Sequence, residues 1–178
     1  MIREKNSLVY TDGVCVYVSI SENNPLMGKV ALILADLLIL SVLFFSVTEG
    51  IAGLIIFTVI LLSFLTRYTL WNFWGKENLI INTKSVSYQH DYGLLKTSYT
   101  TKKIHSKLIV VCDKKEGVAD MVQCGFITYH EMNHLPTEIY GVTFPITCKQ
   151  AEYMIDLIEA LYLNKMTGDY EFPSINLN

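Results

Sequence analysis

Residues Leu26 to Thr66 consist of two long apolar runs separated only by Val47-Thr48-Glu49-Gly50. The first, Leu26 to Val47, spans about 33 Å as a helix at roughly 1.5 Å per residue, close to the ~30 Å hydrocarbon core of a bilayer. The second, Ile51 to Thr66, is shorter. It continues through Arg67-Tyr68-Thr69-Leu70-Trp71-Asn72-Phe73-Trp74, which adds length and ends in aromatic residues of the kind that sit at headgroup level. Buried helices of soluble proteins usually keep a polar stripe, and neither run has one. The pattern predicts a two-helix membrane hairpin over residues 26–74, preceded by a strand-like arm, 1–25. The mixed composition ahead of the first run, and a second run following at once, argue against a cleaved signal peptide.

The connection between the runs is too short to cross back, so both flanks are expected on one side. Arg3, Lys5 and Lys29 lie near the entry, Arg67, Lys76 and Lys84 near the exit, and the turn carries only Glu49. Positive charge stays inside, so both termini are expected in the cytoplasm of an inner-membrane protein. The four cysteines, Cys15, Cys112, Cys124 and Cys148, then face a reducing compartment, lack C-x-x-C spacing and are expected to be free thiols. Residues 67–115 carry a balance of +6, residues 116–178 one of −7, and the first 66 residues one of −2. The basic block follows the membrane exit, where anionic headgroups favour each close lysine by about 1 kcal/mol. So dilute a charge, next to an acidic C-terminal part, argues against a nucleic-acid partner.

Outside the hairpin the pattern is mostly strand. Leu8 to Val18 is rich in β-branched and aromatic residues around Asp12-Gly13, which predicts one or two short strands with a turn. Strands are predicted over Glu77–Asn82, Val86–His90, Thr97–Thr101, Ile104–Cys112, Met121–Tyr129 and Glu138–Ile146. Turns are predicted at Asp91-Tyr92-Gly93 and at Asp113-Lys114-Lys115-Glu116-Gly117. That spacing predicts a single antiparallel sheet or barrel-like sandwich. From Cys148 to Met166 the apolar period becomes helical, with Ala151, Met154, Ile155, Ile158, Leu161 and Tyr162 on one face. Thr147 and Gln150 fit a capping box at its start. Residues 169–178 read as a tail.

The segment Leu70-Trp71-Asn72-Phe73-Trp74-Gly75-Lys76-Glu77 leads from the second apolar run into the first strand, and Tyr92-Gly93 marks the next turn. With Gly125-Phe126-Ile127-Thr128-Tyr129, Tyr140-Gly141-Val142-Thr143-Phe144 and the closing helix from Gln150-Ala151, the chain resembles bacterial pleckstrin-homology-like membrane proteins over residues 26–166. The resemblance implies a membrane-anchored α+β protein: a transmembrane hairpin, then a pleckstrin-homology-like antiparallel β-barrel or sandwich with a C-terminal α-helix over residues 75–168. It also implies a non-enzymatic adaptor at the inner membrane face, with no catalytic set to carry over.

His130-Glu131-Met132-Asn133-His134 matches H-E-x-x-H, in which two histidines on one helical face bind zinc and the glutamate serves as general base. Glu152 or Glu159 is a possible third ligand, which makes a membrane-anchored zinc metallopeptidase the alternative function. The preceding strand pattern and Pro136 leave room for only a short helix, so a chance match in a polar turn is preferred. Asp36 lies inside the first apolar run, where a carboxylate costs on the order of 2.5–3.5 kcal/mol unless it faces protein or water. Ser63 is its expected intrachain partner. Its functional readings are a proton relay or a docking point for another membrane subunit, as in an accessory subunit of a transporter or channel. Trp71 and Trp74, with Tyr68 and Phe73, read as interface anchors, and His90 and His105 as packed or exposed side chains. The expected contacts with the membrane interface or a partner are therefore Asp36, Arg67, Trp71, Trp74, Lys102, Lys103 and Lys107. No catalytic residue, metal or cofactor is assigned. The expected role is an adaptor, assembly or inhibitory protein that binds membrane lipid, a protein partner or a second copy of itself.

Overall fold

Val16, Val18 and Ile20 alternate with Tyr17, Ser19 and Ser21, and in the next strand Leu79 and Ile81 are buried on either side of the less buried Ile80. A strand sends successive side chains to opposite faces, so each set buries one face of a sheet. A computed structural model describes residues 2–4, 7–21, 25–114, 120–130 and 135–168. Among these, the elements are β1 (Ile2–Glu4), β2 (Ser7–Thr11), β3 (Val16–Ser21), α1 (Leu26–Thr48), α2 (Ala52–Trp74), β4 (Lys76–Ile81), β5 (Ser85–Asp91), β6 (Thr100–Lys103), β7 (Leu108–Lys114), β8 (Met121–Tyr129), β9 (Pro136–Gly141), β10 (Ile146–Thr147) and α3 (Cys148–Gly168). They fall into two units. One comprises Met1–Ile20, Glu77–Gln89 and Tyr99–Asn178, and the other Ser21–Lys76 with His90–Ser98.

The first unit is α+β. Strands β1 to β6 form a six-stranded sheet in chain order, so the N-terminal residues supply its first three strands and β3 lies beside β4. The β2–β3 turn is held by Asp12, whose Oδ1 accepts the N–H groups of Val14 and Cys15 at 2.9 and 2.7 Å. Those donors, Cys15 first, hold the Asp12 carboxyl below its ordinary range. In the second sheet β8 is central, with β7 on one edge and β9 and β10 sharing the other. Neither sheet closes on itself. Helix α3 buries Ala151, Met154, Ile158 and Leu161 and touches β2 of the first sheet as well as β8 and β10 of the second. The Gln150 N–H donates to Thr147 Oγ1 at 3.3 Å at the expected helix start.

Three predicted strands are shifted or divided. Thr97 turns its N–H to the His90 carbonyl at 2.9 Å, and regular pairing with β5 resumes only at Thr100. Ile104 donates its N–H to the Lys84 carbonyl at 2.8 Å and so still belongs to the first sheet, which delays β7 to Leu108. The expected strand Glu138–Ile146 is divided into β9 and β10, because the Thr143 N–H is drawn to a buried carboxylate instead of a neighbouring strand. The predicted polar turn ends in residues 115–119, outside the described residues.

The cysteine expectation is corrected. Cys112 and Cys124 face each other across β7 and β8 with Cα atoms 4.2 Å apart, and their sulfurs are joined in a disulfide. Cys15 and Cys148 are free. Two cysteines twelve residues apart give no spacing signal, and only the strand register brings them together.

The second unit is the helical hairpin with residues 90–98. A Schellman motif ends α1: the Ile51 N–H donates to Ser46 O at 3.1 Å and the Gly50 N–H to Val47 O at 3.3 Å. Gly50 takes φ +69°, which glycine adopts without a Cβ penalty. Both helices are long and apolar enough to cross a membrane. Leu34, Leu38, Phe44, Ile56, Phe57 and Phe64 are among the large side chains left exposed on them. Ser46, Thr58 and Ser63 turn their hydroxyls to the carbonyls four residues back, at 2.7, 2.7 and 2.8 Å, so these polar groups are satisfied within their own helix.

Candidate functional site

The last three turns of α2 carry Arg67, Trp71 and Trp74, and the turn after β5 folds onto them. Asp91 Oδ1 accepts the Gly93 N–H at 2.8 Å, and the Tyr92 N–H donates to the Leu95 carbonyl at 2.8 Å. Gly93 has φ +84°, and a Cβ there would lie 2.7 Å from the Trp74 Cβ. Position 93 therefore needs glycine for its backbone and for the close approach to α2. The turn delivers Tyr92 between two expected interface residues. Its ring centroid lies 5.0 Å from that of Trp71, and its hydroxyl accepts from Arg67 Nη2 at 3.0 Å. The guanidinium carbon also sits 5.1 Å from the Tyr92 ring centre, a cation–π distance. His90 meets Trp71 edge-on at 5.3 Å. Lys96 Nζ pairs with Asp91 Oδ2 at 3.0 Å, the lysine side chain 61 % exposed and the aspartate 11 %. At the hairpin's open end, Lys29 Nζ lies 5.4 Å from the Phe73 ring centre.

Arg67, Trp71 and Trp74 thus come together in one cluster with His90, Asp91, Tyr92 and Lys96. The other four were not expected there. The sequence marks Asp91-Tyr92-Gly93 as a turn, yet nothing local says that it closes onto a helix some 25 residues earlier. Lys102, Lys103 and Lys107 belong to the sheet unit, where all three are exposed. Lys102 reaches over the Tyr88 ring at 6.0 Å, and Lys107 borders a small cleft of about 120 Å³ between β7 and α3.

Asp36 is half-buried on α1, and its Oδ1 is buried without a hydrogen-bond partner. The expected Ser63 partner is not used, because its hydroxyl is turned to Val59. His130 closes β8, its N–H donating to the Leu135 carbonyl at 3.1 Å just ahead of β9. Glu131 and His134, the other chemistry-bearing residues of the H-E-x-x-H match, lie outside the described residues. The possible third ligands Glu152 and Glu159 are exposed on α3.

A second polar cluster in the sheet unit was not foreseen. Glu77 is fully buried and accepts from the Tyr140 hydroxyl at 3.0 Å and from the Thr143 N–H at 3.0 and 3.2 Å. Tyr88 stacks on Tyr140 with centroids 4.2 Å apart. Burial, then the charge of Glu77, pushes the Tyr140 phenol well above its ordinary range. A carboxylate set against a phenol and a main-chain amide is a structural clamp between β4 and β9. No family model, curated protein or solved structure matches the chain.

Proposed function

We propose that the chain is a non-enzymatic, two-pass inner-membrane protein. Its pleckstrin-homology-like sheet domain, working as an adaptor, assembly or inhibitory module, engages a protein partner and the lipid surface from the cytoplasmic side. The observation that carries this reading is the hairpin's outer surface: two membrane-length helices leave their large apolar side chains exposed, which water penalises and lipid accepts. The neighbouring places of β3 and β4 in one sheet support a common side for both ends of the hairpin. Two antiparallel sheets with a C-terminal helix touching both support the domain assignment.

Flanking charge favours the cytoplasmic side, whereas a disulfide persists in oxidising compartments. Greater weight goes to the charge, because strand register holds Cys112 and Cys124 together in either redox state.

The buried, unpartnered Asp36 Oδ1 supports a contact with a second membrane subunit, which would supply the missing donor. Affinity purification of the full chain from mild detergent tests the adaptor reading. A stoichiometric protein partner is expected, and it should be lost or weakened in Asp36→Ala. Recovery of a lone monomer, unchanged by that substitution, would remove the docking role. Metal analysis of the same preparation decides the enzymatic alternative: one zinc per chain, lost in His134→Ala, establishes a peptidase site.

A further inference from the structure

Between α2 and the turn after β5 lies a cavity of about 580 Å³. Leu62, Thr66 and Leu70, spaced four residues apart on one face of α2, form its helix wall, and Leu95 lines it from the turn. Arg67 and Lys96 supply its charge. We propose that this cavity binds an anionic phospholipid, its phosphate held by Arg67 with support from Lys96 and an acyl chain laid along the Leu62–Leu70 stripe. This deepens the membrane reading above and rests on it.

Charge complementarity names the occupant. Arg67 is the sole Lys or Arg of α2, and its contact with Tyr92 uses one of five N–H donors, leaving the fork free for a bidentate phosphate. Lys96 is shared with Asp91, so among the described residues Arg67 is the cavity's cation without a carboxylate partner. The remaining wall is mostly apolar, which suits an acyl chain and disfavours a free inorganic ion. The turn points to the same surroundings: Leu94 is 80 % exposed and Leu95 65 % exposed, two adjacent leucines better accommodated by lipid than by water. Leu62 lies about 18 Å back along α2 from Trp74 at 1.5 Å per residue, so the cavity reaches from the aromatic end toward the acyl region. Its volume accommodates a headgroup and the adjoining part of one chain.

The experiment is tryptophan quenching by brominated lipid, using the full chain in vesicles. Trp74→Phe leaves Trp71, whose ring lies tilted against Tyr92, as the single tryptophan. Brominated phosphatidylglycerol and brominated phosphatidylcholine are compared at the same minor fraction in a phosphatidylcholine background. One cation near an anionic lipid enriches it about fivefold, and quenching of Trp71 should report that preference. Arg67→Gln should bring the two lipids to parity, and Thr66→Phe, which fills the cavity with every charge retained, should do the same. Equal quenching in the parent overturns the site, as does a preference that survives both substitutions. Displacement by inorganic phosphate would mark a phosphate site and likewise overturn the lipid assignment. Quenching by neither lipid would remove the membrane reading itself, a result distinct from loss of the site alone.

Discussion

Glu77 offers the sharpest test of how the sheet unit is held together. Its carboxylate is fully buried, and truncation to alanine strands the Tyr140 hydroxyl and the Thr143 N–H without their acceptor. The orphaned buried Tyr140 hydroxyl costs roughly 1–3 kcal/mol, the part-buried Thr143 N–H costs less, and the lost side-chain volume adds a cavity term. The expected penalty for Glu77→Ala is therefore about 3–5 kcal/mol. Glu77→Gln keeps the shape and one acceptor but turns an NH₂ toward donors, so a smaller loss of about 1–3 kcal/mol is expected. At about 4 °C per kcal/mol for a unit of this size, alanine should lower the melting temperature by roughly 12–20 °C and glutamine by markedly less. The assay is thermal unfolding in detergent followed by near-ultraviolet circular dichroism, which reports the Tyr88–Tyr140 stack. In the double-mutant cycle with Tyr140→Phe, a coupling of at least about 1 kcal/mol is expected between positions 77 and 140. A melting point unchanged in Glu77→Ala, or glutamine costing more than alanine, would refute the clamp.

The same cluster sets a pH dependence. The Tyr140 phenol is raised in the folded state, so its contribution is full below the ordinary phenol range near 10 and is lost as pH climbs above it. Stability should fall on the alkaline side, and less steeply in Tyr140→Phe. On the surface, the hydrogen bond to Asp12 pushes the Tyr17 phenol up to about 12, so carbon-13 tyrosine NMR should find it titrating there and returning toward 10 in Asp12→Asn. Protein purified without reductant and unfolded should show two reactive thiols, Cys15 and Cys148, and four after reduction. Four at the outset would place the resting protein in the dithiol state. Gly93→Ala should destabilise the turn by about 1–2 kcal/mol through its positive φ, with a further cost from contact with Trp74. Hydrogen exchange at Tyr92–Leu95 measures that effect, and exchange unchanged from the parent would show that the turn does not depend on glycine.

The hairpin, the C-terminal helix and β8 were legible because each follows from a local rule. These are membrane-length apolar runs, a 3.6-residue period with a Thr147 cap, and a short run from Met121 to Tyr129 rich in strand-favouring residues. What escaped the sequence is pairing at a distance. Nothing near Glu77 shows that its side chain turns inward, since the phenol and amide it needs lie 63 and 66 residues away. The split between β9 and β10 follows from the same carboxylate and was hidden for the same reason. Arg67 and Trp71 read as interface residues from their position at the end of an apolar run. Their assembly with Tyr92 and Lys96 depends on how a later turn folds back. Alternation around Cys112 and Cys124 gives the strands but not their register, and register alone makes them partners.

The adjacency of β3 and β4 has a consequence for biogenesis. Strand β3 ends at Ser21 and β4 starts at Lys76, with both membrane-length helices encoded between them. At ribosomal rates of about 5–20 residues per second, β1 to β3 wait roughly 3–12 s before β4 has been made. Throughout that interval the outer edge of β3 presents unpaired N–H and C=O groups, a template for wrong partners. On the proposed two-pass topology, insertion of the hairpin returns the chain to the side from which it left and brings β4 to that waiting edge. Completion of the first sheet then depends on insertion: a chain whose hairpin stays out of the bilayer keeps the β3 edge open to wrong partners.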